Sequence, residues 1–158
     1  LLRNHGLKNR DEIEFFGYNS RLDTIHATVA LLVMKSLKEV TNIRRRHAQI
    51  YDTGLKELSD MVTVPPRQEN VVHVFHTYVV QVKRRTELMK FLQDQGIETK
   101  IHYPIPIHLQ KPCRAMGYKR GDFPVCEQQA EAIVSLPVHQ HLTEEQILYV
   151  AEMIKKFY

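Results

Sequence analysis

The chain has 158 residues, which is enough for one domain with a hydrophobic core. Apolar residues make up 43% and charged residues 25%, as in an ordinary soluble globular protein. The formal net charge of +4 is mild and fits an anionic small-molecule substrate without requiring one. No run approaches the roughly 18 apolar residues that a membrane-spanning helix needs. No charged segment followed by an apolar core predicts a signal peptide.

Two helices are predicted in the first third of the chain. Residues 22–38 place apolar side chains nearly all round a helix, which predicts burial on several sides, partly against another subunit. Residues 40–58 form the second predicted helix. Its run of three arginines, at 44–46, is more typical of a solvated face than of an anion site.

The segment VPPR at residues 64–67 is the strongest internal boundary, and the pattern after it changes. Strands are predicted at 72–82, 97–103 and 132–136, and a helix at 86–95 that Gly96 ends. A capping box of Thr143 and Gln146 begins the last helix, whose apolar stripe is Ile147, Val150, Ala151 and Ile154. Helices followed by a small mixed unit predict an α+β fold.

The stretch GYNSRLD, at residues 17–23, stands just ahead of the first predicted helix. In one interpretation Asn19 or Ser20 caps that helix, with Asp23 placed favourably against the helix dipole. In the other, the asparagine amide and the guanidinium of Arg21 offer donors to a phosphate near the helix start. The two interpretations are compatible.

The stretch KIHYPIPIHLQ, at residues 100–110, carries His102, Tyr103 and His108 beside prolines that stiffen the backbone. Polar groups held on a stiff loop predict the wall of a ligand pocket. No third ligand has spacing that would complete a metal site with the two histidines. Lys100 is a weak candidate for a Schiff-base lysine, which needs a desolvated pocket. The two cysteines, Cys113 and Cys126, lack a ligand pattern and predict reduced thiols in a cytoplasmic protein.

A series of motifs in this sequence resembles one family, the DegT/DnrJ/EryC1/StrS aminotransferases. The motifs are RNHG at 3–6, GYNSRLDTIHA at 17–27, HTYVVQV at 76–82, GIETKIHYPIPIHLQ at 96–110, GDFPVCEQQA at 121–130 and SLPVHQHLT at 135–143. These enzymes use pyridoxal 5'-phosphate (PLP) to aminate nucleotide-linked keto-sugars in the biosynthesis of deoxyamino sugars, with glutamate as the expected amino donor. The order and separation of these motifs make the resemblance specific, and the resemblance extends over essentially the whole chain.

The resemblance implies that the chain is the C-terminal part of a fold-type I PLP aminotransferase. Residues 1–23 would end the large PLP-binding domain, residues 24–63 would form linking helices, and residues 64–158 would form a small domain with a short, largely antiparallel sheet. The Schiff-base lysine would lie upstream of Leu1, so this chain would contain no catalytic residue of its own and would be inactive alone.

The resemblance also assigns site residues. Asn19 would reach across a homodimer interface to the cofactor phosphate of the neighbouring subunit, and Arg21 would support the same region. His102, Tyr103 and His108 would line the nucleotide-sugar pocket. His26 occupies a position where glutamine is common in the family, which implies a change of local packing or hydrogen bonding only.

Two alternatives stay open at the level of sequence. Some members of the family use the same fold and cofactor for sugar dehydration, with a different residue in place of the lysine. The absence of a complete catalytic set also allows a non-catalytic binding or dimerisation module. The sequence does not alternate aromatic and basic residues in the way that would favour a nucleic-acid-binding protein.

Overall fold

The computed structural model describes residue 1 and residues 3–158, with the side chains at positions 112 and 114 left out. The described residues form two compact units, Leu1–Glu39 and Val40–Tyr158. Among these residues, no helix has the length and apolar character that crossing a membrane requires. The helices are α1 (Thr24–Met34), α2 (Leu37–Gly54), α3 (Arg85–Asp94), α4 (Lys111–Ala115), α5 (Pro124–Ala132) and α6 (Glu144–Phe157). The strands are β1 (Val62–Thr63), β2 (Tyr78–Val82) and β3 (Ile133–Leu136).

The first unit begins with a loop that folds back on itself. Isolated backbone bridges join Asn4 to Asn19 and Leu7 to Ile13. Gly6 lies inside this loop with a φ of +72°, and a Cβ atom there would stand 1.7 Å from the carbonyl oxygen of Phe15. Only glycine fits this position, because any side chain would collide with the opposite backbone.

Helix α1 is shorter than the predicted helix at 22–38, and none of its residues is buried. Its apolar side chains are instead exposed, among them Ile25 at 76% and Leu32 at 66%. The expectation of burial is therefore not met inside this chain. A helix that exposes apolar side chains to water along its length is typical of a surface that another protein surface covers.

Helix α2 begins at Leu37 and ends at Gly54, followed by a 3-10 turn at Lys56–Leu58. The prediction of one helix over 40–58 is confirmed for most of its length. His47, Ala48 and Tyr51 are buried, as expected for residues three and four apart on one face. The interpretation of the arginine run as a solvated face is wrong for Arg44, which is partly buried, whereas Arg45 and Arg46 are exposed to solvent.

The sheet has three antiparallel strands in the order β1-β2-β3. Side chains of β2 alternate between buried and half-buried positions, with Tyr78, Val80 and Val82 on the buried face. The predicted strand at 72–82 is confirmed only from Tyr78 onward. Phe75 has a φ of +47°, which interrupts the extended backbone ahead of it.

The predicted strand at 97–103 is not a strand. Only Lys100 pairs with the sheet, through two backbone hydrogen bonds with Ser135 of β3 at 2.7 and 3.3 Å. The short third strand is confirmed as β3 and the helix at 86–95 as α3, where Gly96 adopts a φ of +75° at the helix end. The segment 97–103 therefore lies against the outer edge of β3 without extending the sheet.

Helix α6 confirms the predicted capping box. Thr143 Oγ1 accepts from the backbone N–H of Gln146 at 3.2 Å, and Gln146 Oε1 accepts from the backbone N–H of Thr143 at 2.9 Å. The apolar stripe of α6 is buried in a single core with residues of α2, the turn after it, α3, β2 and β3: Tyr51, Leu55, Val80, Leu88, Leu92, Val134, Ile147, Val150, Ala151 and Ile154. Helices packed on a small antiparallel sheet confirm the α+β class.

Candidate functional site

The turn at residues 17–23 is held by the segment that begins the chain. Arg3 Nε donates to the carbonyl oxygen of Ser20 at 2.9 Å, and the backbone N–H of Ser20 donates to the carbonyl oxygen of Arg3 at 2.9 Å. The backbone N–H of His5 donates to the carbonyl oxygen of Tyr18 at 3.0 Å. These bonds fix the backbone on both sides of Asn19, so its side chain projects from an ordered turn.

Asn19 and Arg21 both have exposed side chains. Within the part of the chain that the structure describes, neither side chain has a hydrogen-bond or ion-pair partner. The turn therefore presents an amide and a guanidinium whose donors are free. Such donors bind phosphate and carboxylate oxygens, and the positive charge of the guanidinium strengthens the bonds.

The N-cap of α1 is Asp23, and the alternative that Asn19 or Ser20 caps the helix is wrong. Asp23 Oδ1 accepts from the backbone N–H of His26 at 2.9 Å, and Asp23 Oδ2 lies 2.5 Å from His26 Nδ1. The backbone hydrogen bond from His26 is the main cause that lowers the pKa of Asp23. Because Asp23 supplies the cap, the amide of Asn19 is left for another partner. His26 braces the capping carboxylate.

A groove of about 590 Å³ in the second unit contains one of the predicted substrate residues, His102. We call it the His102 groove. His102 Nδ1 lies 2.8 Å from Ser135 Oγ, so Ser135 fixes the orientation of the ring and leaves Nε2 for a second partner. The polar residues of its wall are Arg44, His76, Thr77, Glu98, Lys100, His102, Ser135, His139, Gln146 and Tyr149.

Arg44 ties together three segments that border the His102 groove. Its Nη1 donates to the carbonyl oxygens of Phe75 and His76 at 3.2 Å each, ahead of β2. Its Nε and Nη2 both donate to Gln140 Oε1, at 3.3 and 3.0 Å, in the loop after β3. A guanidinium makes this planar fork and a lysine does not. Arg44 therefore sets the distance between α2, the start of β2 and the loop that precedes α6.

Lys100 forms an ion pair with Glu98, with Nζ 3.2 Å from Oε1, and both side chains are well exposed. A Schiff-base lysine needs a desolvated site that lowers its pKa. The position of Lys100 does not provide one. Glu98 and Lys100 both line the groove, so this ion pair adds no net charge to its wall.

Tyr103 follows His102 and is 75% exposed. The two rings meet edge to face, with centroids 5.5 Å apart and planes at 88°. Ile105 and Ile107 continue the exposed surface of this loop. The structure thus brings two of the three predicted substrate residues together at one end of the loop, with the phenol group facing outward.

His108 lies at the other end of the same loop, where its side chain is buried with 7% exposure. His108 Nε2 lies 2.8 Å from Glu127 Oε1 in α5, and the same oxygen accepts the backbone N–H of Gly121 at 2.8 Å. Burial acts to raise the pKa of Glu127, but the hydrogen bonds from Gly121 and His108 outweigh it and hold the pKa below its ordinary value. His108 therefore anchors the loop. Direct contact of His108 with a substrate stays a prediction.

Sequence reasoning missed three residues that shape this region: Arg44, Ser135 and Glu127. Ser135 lies in a strand that the pattern did predict, and only pairing with residue 100 brings it to His102. Glu127 lies 19 residues from His108, and no local pattern links the two. The start of α5 did have a signal, since Pro124 occupies the first turn of that helix.

The family model of the DegT/DnrJ/EryC1/StrS aminotransferase family matches residues 1–155. The "pleiotropic regulatory protein" of Geobacillus stearothermophilus is 40% identical over 159 residues, which is 100% of this chain and 43% of the relative. The dTDP-3-amino-3,6-dideoxy-alpha-D-galactopyranose transaminase of Aneurinibacillus thermoaerophilus is 33% identical over 99% of this chain and 42% of that enzyme.

Among solved structures, DesV of S. venezuelae in complex with a ketimine intermediate superposes with a TM-score of 0.92. The two are 32% identical, and the match covers 99% of this chain and 42% of DesV. The chain thus spans about two fifths of the length of the relatives that it matches. From its first residues to α6, the chain belongs to the DegT/DnrJ/EryC1/StrS aminotransferase family.

Proposed function

We propose that this chain acts, within its whole protein, in a PLP-dependent transfer of an amino group from glutamate to a nucleotide-linked keto-sugar. The observation that carries the proposal is the continuous match to the dTDP-sugar transaminase of Aneurinibacillus thermoaerophilus, which leaves almost no part of the chain unaligned. The match includes both the turn at 17–23 and the loop at 100–110. The activity, the substrates and the partners of the whole protein are part of this proposal.

The donor set of the turn at 17–23 fits the phosphate of PLP. The amide of Asn19 and the guanidinium of Arg21 are exposed and have no partner among the described residues. Asp23 turns its carboxylate to the backbone and side chain of His26, so its charge is engaged by the helix start. When bound, PLP supplies the electron sink for amino transfer. Asn19 and Arg21 hold the phosphate group and thereby orient the cofactor.

The loop at 100–110 supplies the contacts to the nucleotide-sugar. His102 keeps its orientation through Ser135 and offers Nε2 to a sugar hydroxyl or diphosphate oxygen. Tyr103 offers an exposed phenol beside it. The buried pair of His108 and Glu127 holds the far end of the loop, so the loop loses little conformational freedom on binding.

The active protein is a homodimer in this proposal, and Asn19 binds the cofactor phosphate of the neighbouring subunit. The exposed apolar side chains of α1 supply a surface that a second subunit can cover. Placing Asn19 at the start of this helix makes cofactor binding depend on association. A cytoplasmic location, based on the two free cysteines, stays a prediction.

The function is tested by incubating the PLP-loaded whole protein with glutamate and dTDP- or UDP-linked keto-sugars. We expect formation of 2-oxoglutarate and an amino sugar in equal amounts. Release of water from the sugar without consumption of glutamate would support the dehydratase alternative.

The name of the Geobacillus relative favours a second candidate, a regulatory or binding module. Failure of the whole protein to retain PLP during loading, together with the absence of turnover, would support that candidate.

A further inference from the structure

A second groove in the unit Val40–Tyr158 is lined by arginines and has a volume of about 620 Å³. It lies between one face of α2 and the segment that follows β1. It shares no lining residue with the His102 groove. We call it the arginine groove and define it by Asn42, Arg45, Arg46, Gln49, Arg67 and His73.

Arg67 is held in place before any ligand binds. Its Nε donates to Asp52 Oδ2 at 2.7 Å, its Nη2 donates to the same oxygen, and its guanidinium carbon lies 4.1 Å from the centre of the Phe75 ring. Pro65 and Pro66 precede it and restrict the backbone. The remaining N–H groups of Arg67 therefore have a fixed direction, which lowers the entropy cost of binding an anion.

Among the described residues, the wall of the groove contains one carboxylate, that of Asp52, and both of its oxygens already accept hydrogen bonds. Asp52 Oδ1 accepts from Tyr78 Oη at 2.7 Å, and Asp52 Oδ2 accepts from Arg67. His73 Nδ1 accepts from the backbone N–H of Phe75 at 2.9 Å, which places the ring proton on Nε2. The arginines, the histidine and the side-chain amides all present N–H donors to the groove. Both oxygens of the carboxylate already accept hydrogen bonds from Tyr78 and Arg67.

Arg45 and Arg46 add two positive charges from α2. In the described part of the chain, Arg45 has no ion-pair or hydrogen-bond partner. Arg46 has one, Glu144, with Nη1 3.4 Å from Oε1 and both side chains more than half exposed. An ion pair of this kind is weak in water, so a stronger anion can replace it.

We propose that the arginine groove binds a small molecule that carries two or more phosphate groups. Three arginines face a single, occupied carboxylate, and guanidinium groups suit phosphate oxygens because they donate in a planar fork. The volume lies within the range of small-molecule sites. The site involves neither the turn at 17–23 nor the loop at 100–110, so it does not depend on the proposed amino transfer.

The test is calorimetric titration of the whole protein, loaded with PLP, with inorganic pyrophosphate and with orthophosphate. We expect pyrophosphate to bind more tightly than orthophosphate. The double variant R45Q/R46Q should weaken pyrophosphate binding by about tenfold, because two exposed charge-assisted contacts are lost. R120Q is the matched control, since Arg120 is exposed and pairs with Glu131 in the same way as Arg46 pairs with Glu144.

Each other outcome overturns the proposal. Equal pyrophosphate affinity in wild type and R45Q/R46Q would remove the arginines from the site. Equal weakening by R120Q would show attraction to the overall charge. Weakening by H102Q alone would place the anion in the His102 groove and would support the proposed function instead. Amino transfer by R45Q/R46Q should stay at the wild-type rate, which separates failure of this site from failure of the enzyme proposal.

Discussion

His108 Nε2 and Glu127 Oε1 lie 2.8 Å apart in a buried contact that joins the loop at 100–110 to α5. The same carboxylate oxygen accepts the backbone N–H of Gly121, so one oxygen ties three segments together. Phe123 covers the imidazole, with ring centroids 4.8 Å apart. The position of the loop therefore depends on a residue that no local motif links to it.

Substituting Glu127→Gln should lower the midpoint of thermal unfolding of this part of the protein. The amide keeps the shape but loses the charge that strengthens the bonds from His108 and Gly121. Glu131→Gln is the matched control on the same helix, since Glu131 is exposed and its pair with Arg120 contributes little. A midpoint for Glu127→Gln no lower than that of Glu131→Gln, measured by differential scanning calorimetry, would contradict the anchoring role of the pair.

Stability should fall in two separate pH windows on acidification. Burial lowers the pKa of His47 below 6.5, and its Nδ1 has no partner among the described residues. The unfolded chain then binds the proton more readily than the folded one, so stability is full above pH 6.5 and falls as the pH drops below it. The pKa of Glu127 in the folded chain lies below its ordinary value of 4.5. The stability that this lowered pKa contributes is therefore lost in the second window, as the pH falls below 4.5.

Substituting His47→Gln should flatten the loss of stability in the window just below pH 6.5 and leave the window below pH 4.5 unchanged. Urea unfolding measured at a series of pH values gives both windows in one experiment. His76→Gln serves as the control, because His76 is exposed. An identical pH profile for His47→Gln and wild type would show that His47 does not cause the first loss.

Substituting Arg44→Lys should destabilise the protein by about 1.5–3 kcal/mol, because hydrogen bonds from a charged donor to the carbonyl oxygens of Phe75 and His76 are lost. The lysine keeps the charge but not the fork to Gln140. If the His102 groove binds the sugar substrate, KM for that substrate should rise more than kcat falls. Arg45→Lys should change neither stability nor KM. Equal effects of the two variants would rule out the bracing role of Arg44.

Placing charges on α1 should dissociate the homodimer that we propose. Val29 and Leu32 are exposed by 54% and 66%, and the double substitution to lysine would bury two charges wherever a subunit covers them. We expect the dimer dissociation constant to rise at least about tenfold in sedimentation experiments. Lys35→Gln, just beyond the end of the same helix, is the control and should leave the constant unchanged. A dimer of undiminished affinity in the lysine variant would place the interface elsewhere.

The elements that local sequence determines are the ones that the sequence predicts well. The capping box of Thr143 and Gln146 and the turn at Gly96 are decided by residues within a few positions of each other. The strand at 72–82 is overpredicted because its first half is rich in β-branched residues. There the contact between Arg44 and the carbonyl oxygens of Phe75 and His76, with the positive φ of Phe75, overrides the local preference.

The candidate site also has features that local sequence predicts and features that only long-range contacts produce. Motif resemblance points to Asn19, Arg21, His102, Tyr103 and His108. It does not indicate which of them are held by the chain and which remain available. That distinction arises from long-range contacts, such as Ser135 with His102, which only the folded chain contains. The sequence also assigned the cap of α1 to the wrong residues, because Asn19, Ser20 and Asp23 are all suitable caps.

The dissociation constant of PLP from the whole protein, compared between wild type and Asn19→Ala, tests the central proposal most directly. Loss of a hydrogen bond to a charged phosphate should raise this constant at least about tenfold. Asn70→Ala, at an exposed asparagine of the other unit, should leave the constant unchanged. An Asn19→Ala protein that binds PLP as tightly as wild type would contradict the assignment of the turn at 17–23 to the cofactor phosphate.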